Sequence, residues 1–300
     1  MVRGFPDAET LATCERFSRW LRQGGGLPIR GRPLAGGRSA GLDFEGHREY
    51  RPGDDLRHVD WPLYARLGTL CVRTFEDEGA GTLAVIVDAS ASMGLSSVVG
   101  SGGRTKLDQA RRMAAALVFA GLRECHGVLL AVARDGGLET LWLNGGLSAF
   151  GAAVEWLGAA RPKGSTHLAS SLAGLSRVTA RGDAVVLGDF LDGHGSHACE
   201  HALDTLVRSG WRADLVRIQH AGEWDVPPPG VGLRDPESAG MATAPRDTEA
   251  LGAALRTYRD TWTRQALRRE CVLVDVTAEE PLPLALTRFF DAVLGIRAHA

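Results

Sequence analysis

Leu83-Ala84-Val85-Ile86-Val87-Asp88-Ala89-Ser90-Ala91-Ser92-Met93 is an apolar run that stops at a carboxylate followed by two hydroxyls at alternate positions. Five successive aliphatic residues, bounded by Gly81-Thr82 and Gly94, read as a strand covered on both faces, hence a central parallel strand. Asp88 then stands at its carboxyl end, where open α/β sheets collect ligands near the point at which strand order reverses. Asp, Ser and Ser spaced by two can converge on one small cation, offering one charge and two neutral oxygens. Mg²⁺ suits so sparse a set because it holds octahedral geometry and keeps several waters. The plainer alternative is a strand end whose Ser90 and Ser92 cap the next helix.

Downstream, residues 106–123 repeat Leu107, Ala110, Met113, Ala114, Leu117 and Val118 at the spacing of a helix laid on a sheet. Strands at 127–133 and 138–143 are joined by Asp135-Gly136-Gly137, a hairpin turn that makes the second antiparallel. Helical patterns at 149–157 and 168–178 flank Lys163-Gly164-Ser165-Thr166. Ala184-Val185-Val186-Leu187-Gly188-Asp189 is again an aliphatic strand ending in a carboxylate. A helix at 197–207, a strand at 213–218, an irregular insertion at 221–245, a helix at 247–267, a strand at 271–276 and a helix at 283–294 follow. This alternation predicts an α/β fold, a doubly wound, mostly parallel sheet with one antiparallel edge strand. Its first and fourth strands can lie side by side across the switch point, which would gather Asp88, Ser90, Ser92, Thr166 and Asp189.

Upstream, residues 7–22 read as a helix capped by Asp7, with Leu11, Phe17, Trp20 and Leu21 on one side. Residues 27–41 are rich in Gly, Pro and Arg and carry no apolar period. The stretch 42–61 interleaves acids and bases with Phe44, Tyr50 and Trp61, and a short helix begins at Asp60-Trp61-Pro62. It reads as a paired ion network on a small charged module. The sharper alternative is a binding face that includes Arg48, Asp54, Asp55, Arg57, Asp60, Trp61 and Arg66. A strand at 70–75 leads to the central one. The organisation is therefore a helix in 1–26, the charged module in 27–80 and the α/β domain in 81–300.

Composition narrows the function classes. The 300 residues are 44% hydrophobic and 23% charged with net charge -2, the profile of a soluble globular chain. No stretch approaches the ~18 uncharged apolar residues of a membrane span, and the N-terminus lacks an apolar signal core. Five scattered cysteines without C-x-x-C spacing suit reduced thiols in a cytoplasm. With 34 basic residues against 36 acidic ones, nucleic acid is not an indicated partner.

Two sets of residues resemble known families. Asp88-Ala89-Ser90-Ala91-Ser92-Met93, Gly164-Ser165-Thr166-His167-Leu168 and Gly188-Asp189-Phe190 resemble the metal-ion-dependent adhesion site of von Willebrand factor A domains. Phe44-Glu45, His47-Arg48-Glu49-Tyr50, Pro52-Gly53-Asp54-Asp55, Arg57, Asp60-Trp61 and Ala65-Arg66 resemble the hallmark of the domain-of-unknown-function fifty-eight family, in which a charged module precedes such a domain. The resemblance spans residues 27–295. It implies one divalent cation, Mg²⁺ or another, held directly or through water by Asp88, Ser90, Ser92 and Thr166, with Asp189 behind water. A carboxylate from a protein ligand would complete the shell. The fourth strand runs on to Leu191-Asp192 where the family pattern has Asp-Gly, so Asp192 is the alternative to Asp189; Asp189 is preferred because it directly follows the apolar run. The resemblance further implies a non-enzymatic adaptor that acts with a MoxR-type AAA+ ATPase in assembling or remodelling proteins.

Enzymatic readings rest on less. His197-Ala198-Cys199-Glu200-His201 fits H-x-x-E-H, a zinc hydrolase signature, with His194 nearby, but five residues on one helix supply no third ligand. Gly102-Gly103-Arg104-Thr105-Lys106 lacks the order of a P-loop, and G-x-S-x-G is absent around Ser90 and Ser92.

Overall fold

A six-stranded sheet carries the chain, and its order decides which loops meet. The computed structural model describes residues 5–23, 43–49, 59–76, 82–96, 103–125, 127–144, 146–165, 167–177, 182–191, 196–238 and 240–297. With strands numbered in chain order, the sheet runs β10 (Leu273–Thr277), β7 (Trp211–Gln219), β6 (Gly182–Gly188), β3 (Thr82–Asp88), β4 (Gly127–Arg134), β5 (Gly137–Leu143). Only β5 is antiparallel to its neighbour among these. Counted within the sheet this is the doubly wound order 3-2-1-4-5-6, with the reversal between β3 and β6. The expected fold class therefore holds, edge strand included. Asp135 and Gly136 both take positive φ, 49° and 72°, which is the two-residue turn whose twist matches a hairpin.

The five-residue aliphatic run works as expected because both sheet faces are covered. Leu83, Val85 and Val87 face one core with α1 (Ala8–Gln23), α3 (Lys106–Glu124), α4 (Phe150–Ala159) and α8 (Leu282–Arg297). Ala84 and Ile86 face the other with α5 (Leu168–Ala173), α6 (Ser196–Arg208) and α7 (Thr248–Leu267). No helix among the described residues is long and apolar enough to cross a membrane. Cys14, Cys71, Cys125 and Cys271 are free thiols, and burial pushes Cys14 up to about 12.

Four local expectations change. In α1 the buried seam is Cys14, Phe17 and Leu21, with Leu11 and Trp20 about two-fifths exposed. The buried stripe runs by steps of three and four through Thr10, Thr13, Cys14, Phe17, Ser18 and Leu21, and Leu11 and Trp20 fall on its two flanks. Phe17 packs on Phe290 of α8 with ring centroids 4.8 Å apart. The charged stretch holds a strand, β1 (Asp43–Glu49), antiparallel to β2 (Cys71–Glu76) in a two-stranded ribbon. Its sequence, Asp43-Phe44-Glu45-Gly46-His47-Arg48-Glu49, has no alternation of apolar and polar residues from which a strand could be read. The helix expected over 168–178 stops at Ala173 and gives way to a 3-10 turn, Leu175–Arg177. The irregular insertion contains a short hairpin, β8 (Gly232–Arg234) with β9 (Met241–Thr243).

The short helix expected after Asp60 is α2 (Trp61–Leu67), capped by Asp60 Oδ1, which accepts the Leu63 N–H at 2.9 Å. Trp61 is 55% exposed and meets Tyr64 edge to face. Asp54, Asp55 and Arg57, and the side chains of Arg48 and Arg66, lie outside the described residues.

Truncation of the α1 seam should separate the two halves of that helix. Phe17→Ala is expected to cost about 3 kcal/mol, and Leu11→Ala less than about 0.5 kcal/mol. Urea midpoints at unchanged m-value read both.

Candidate functional site

Asp88 and Asp189 end adjacent parallel strands, because Val87 pairs with Leu187 across the switch point. Gly188 lets them approach: a Cβ there would sit 3.0 Å from Asp88 Cβ and 3.2 Å from its Oδ2. Asp88 Oδ1 accepts the Ser90 N–H at 2.8 Å, which turns the chain and aims both serines at the same rim. The Ser90 and Ser92 hydroxyl oxygens are 3.0 Å apart, and Asp88, Ser90, Ser92 and Asp189 are all buried. The plain capping alternative fails for Ser90, which makes no side-chain cap bond to the 3-10 turn that follows it.

The loop that leads to Thr166 is stitched to this rim. Ala91 N–H donates to Gly164 O and Lys163 N–H to Ala89 O, each at 2.9 Å. Asp135 Oδ1 accepts the Ser165 N–H at 2.9 Å, and the Asp135 carboxylate fills the space that a Cβ on Gly164 would need. Gly164 also takes φ +76°, so glycine is required on two counts. Thr166 itself lies outside the described residues, as does Asp192. Beyond Asp189 the chain turns through Phe190 at φ 55°, unusual for a bulky residue. Phe190 is held there by packing on Trp262 at 4.9 Å and by Tyr258, whose hydroxyl donates to Phe190 O at 2.7 Å.

Three charged residues at the site escaped the sequence reading. Lys106, fully buried, places Nζ 2.6 Å from Asp189 Oδ2 and 2.7 Å from Glu223 Oε1. Burial would lower the Lys106 pKa, but the charges of Asp189 and Glu223 outweigh it and the ammonium is held above its ordinary range. Asp189 Oδ1 accepts the Leu191 N–H at 3.1 Å, so both its oxygens are engaged. Glu237, from the turn between β8 and β9, accepts a hydrogen bond from Ser92 Oγ at 2.9 Å. One sequence signal does mark Lys106. A lysine in the first helical position opposes the helix dipole, so it calls for a carboxylate partner.

This donor set fits Mg²⁺. All its members are hard oxygens, as Mg²⁺ requires. The Ser90 and Ser92 hydroxyls, 3.0 Å apart, are close enough to serve one small ion together. Charge favours a cation as well, since Asp88, Asp189, Glu223 and Glu237 gather at this rim, where Lys106 pairs with Asp189 and Glu223. Asp88 carries the strain of that imbalance. Burial first, then the charge of Asp189, pushes its carboxyl up to about 7, against the opposing hydrogen bonds from Ser90.

The H-x-x-E-H stretch falls on α6, where Glu200 lies 3.6 Å from the Arg269 guanidinium. His201 is exposed, and His194 and the side chains of His197 and Cys199 lie outside the described residues. Among the described residues no group of three His, Cys, Asp or Glu side chains could hold a metal by itself.

The Asp88 shift has a definite sign. An acid whose folded pKa lies above its unfolded value loses stability as pH rises from about 4 to about 7, where the folded form also ionises. With chelator present, Asp88→Asn should match the parent chain near pH 4 and melt about 5 °C higher at pH 8.5. Thermal unfolding followed by circular dichroism checks the difference.

No curated protein matches the chain significantly. Among solved structures, the SpRpn10 VWA domain is similar at 10% identity over 69% of this chain and 94% of that one, with a TM-score of 0.38. The PilB minor pilin from Streptococcus sanguinis aligns at 14% identity over 76% of this chain and 64% of that one, TM-score 0.41. An uncharacterized membrane spanning protein from Vibrio fischeri aligns at 16% identity over 71% and 98%, TM-score 0.23. The sequence profile described as Protein of unknown function DUF58 matches residues 46–266, which takes in most of the charged hallmark and β3 through α7. The chain belongs to the DUF58 family.

Proposed function

We propose that the protein is a cation-dependent, protein-binding adaptor without enzymatic activity, and that its strand-end rim is the binding site. The observation that carries this reading is the convergence of Asp88, Ser90 and Ser92, with Asp189 beside them, at the reversal of strand order. Asp88, Ser90 and Ser92 hold the ion directly or through water, and Thr166 belongs to the same set by its place in the sequence pattern. Asp189, tied to Lys106 and to the Leu191 N–H, acts from behind water. Bound Mg²⁺ supplies a positive position with exchangeable waters that an acidic side chain of a partner can occupy. The rigid 3-10 turn and the Gly164 loop hold the oxygens in place, so little ordering is left to the moment of binding.

A binding role also agrees with Glu200, which a zinc hydrolase would need as its base and which here faces Arg269. The resemblance to the family supplies the partner class: a MoxR-type AAA+ ATPase, met in the cytoplasm, in the assembly or remodelling of other proteins. Trp61 and Tyr64, exposed on α2, offer a second place through which such contact can be made.

Affinity capture with the full chain, in Mg²⁺ and again in chelator, tests the reading. The ATPase and an acidic ligand should be retained in Mg²⁺ and lost in chelator, and Asp88→Ala should lose the ligand in both. Capture that is indifferent to chelator and to Asp88→Ala contradicts it.

A further inference from the structure

The insertion between β7 and α7 sends two carboxylates to the site, and one of them, Glu237, touches a proposed ligand. Glu237 sits at the tip of the β8–β9 hairpin and accepts the Ser92 hydroxyl at 2.9 Å. That contact brings the Glu237 carboxylate directly against one of the hydroxyls assigned to the ion, so the same carboxylate can turn from the hydroxyl to a cation held beside it. The tip is built to present it. Asp235 Oδ1 accepts the Glu237 N–H at 2.9 Å, Asp235 N–H donates to Gly240 O at 2.9 Å, and Ser238 Oγ donates to Asp235 Oδ2. The hairpin itself is thinly held. Every residue of β8 and β9 is exposed, and Met241 is 73% exposed. Its base is closed by Ala244, which exchanges backbone hydrogen bonds with Gly230 and Val231 at 3.1 and 2.8 Å.

We propose that Glu237 is a ligand supplied by the chain itself, which takes the coordination position that a partner's carboxylate later claims. This inference rests on the cation reading above and adds a regulation to it. The hairpin is a built-in competitor: a partner binds only by lifting Glu237 off the rim, and weak packing of β8 and β9 keeps that step small. Glu223, the other glutamate of the insertion, instead braces the rim through Lys106 and the His220 backbone N–H.

Mn²⁺ is the probe, titrated into the full chain with calorimetry for affinity and water-proton relaxation for the waters left on the ion. Glu237→Gln is expected to weaken Mn²⁺ binding about tenfold and to raise the relaxation enhancement, because water replaces the lost carboxylate. Acetate should then lower the enhancement in Glu237→Gln and leave the parent unchanged. Asp88→Ala should abolish binding. If Glu237→Gln keeps the parent's affinity, enhancement and indifference to acetate while Asp88→Ala binds nothing, the cation reading stands and the role of Glu237 is overturned. A parent chain that binds no Mn²⁺ overturns both.

Discussion

The buried ammonium of Lys106 makes the strand-end arrangement tolerable. Two carboxylates brought side by side by neighbouring parallel strands would each bear a desolvation cost of several kcal/mol and repel the other. Lys106, the first residue of α3, reaches under the rim to Asp189 and to Glu223, closing contacts across 83 and 117 residues of chain. That pairing fixes the end of β6, the start of α3 and the root of the insertion after β7 against one another. Asp88 stands beside that pair, its carboxyl pushed up by burial and by the charge of Asp189.

The fold itself was open to reading because burial on both faces leaves an uninterrupted aliphatic strand, and β3, β4 and β6 each carry one. Asp88, Ser90 and Ser92 were legible for the same reason: polar residues stand out where such a run ends. Glu223 and Glu237 were not, because two glutamates in an aperiodic insertion have no local pattern to break, and Lys106 showed only as a lysine set against the helix dipole, which names no partner. Their significance lies in pairings that only the crossing of loops creates. β1 escaped for a related reason. No apolar alternation marks its sequence, whereas α1 was legible as a helix, with Leu11 and Trp20 on the flanks of its buried stripe and Trp20 still meeting Phe290 edge on at 6.2 Å.

The site is rigid on one side and lightly built on the other. Backbone bonds tie Ala89 and Ala91 to the Lys163–Gly164 loop, and Phe190 is locked in a left-handed conformation by Trp262 and Tyr258. The β8–β9 hairpin opposite has little buried surface. A rim of fixed oxygens facing a displaceable carboxylate suits exchange of one acidic group for another, since the costly ordering is already complete in the rigid half. α2 carries a separate exposed aromatic pair, Trp61 with Tyr64, outside the sheet.

The central claim is that loops distant in sequence share one divalent ion. Anomalous diffraction from crystals grown with Mn²⁺ measures this directly. The account predicts one strong peak within bonding distance of the Ser90 and Ser92 hydroxyl oxygens and beside Asp88. Crystals in saturating Mn²⁺ that show no peak there would contradict it.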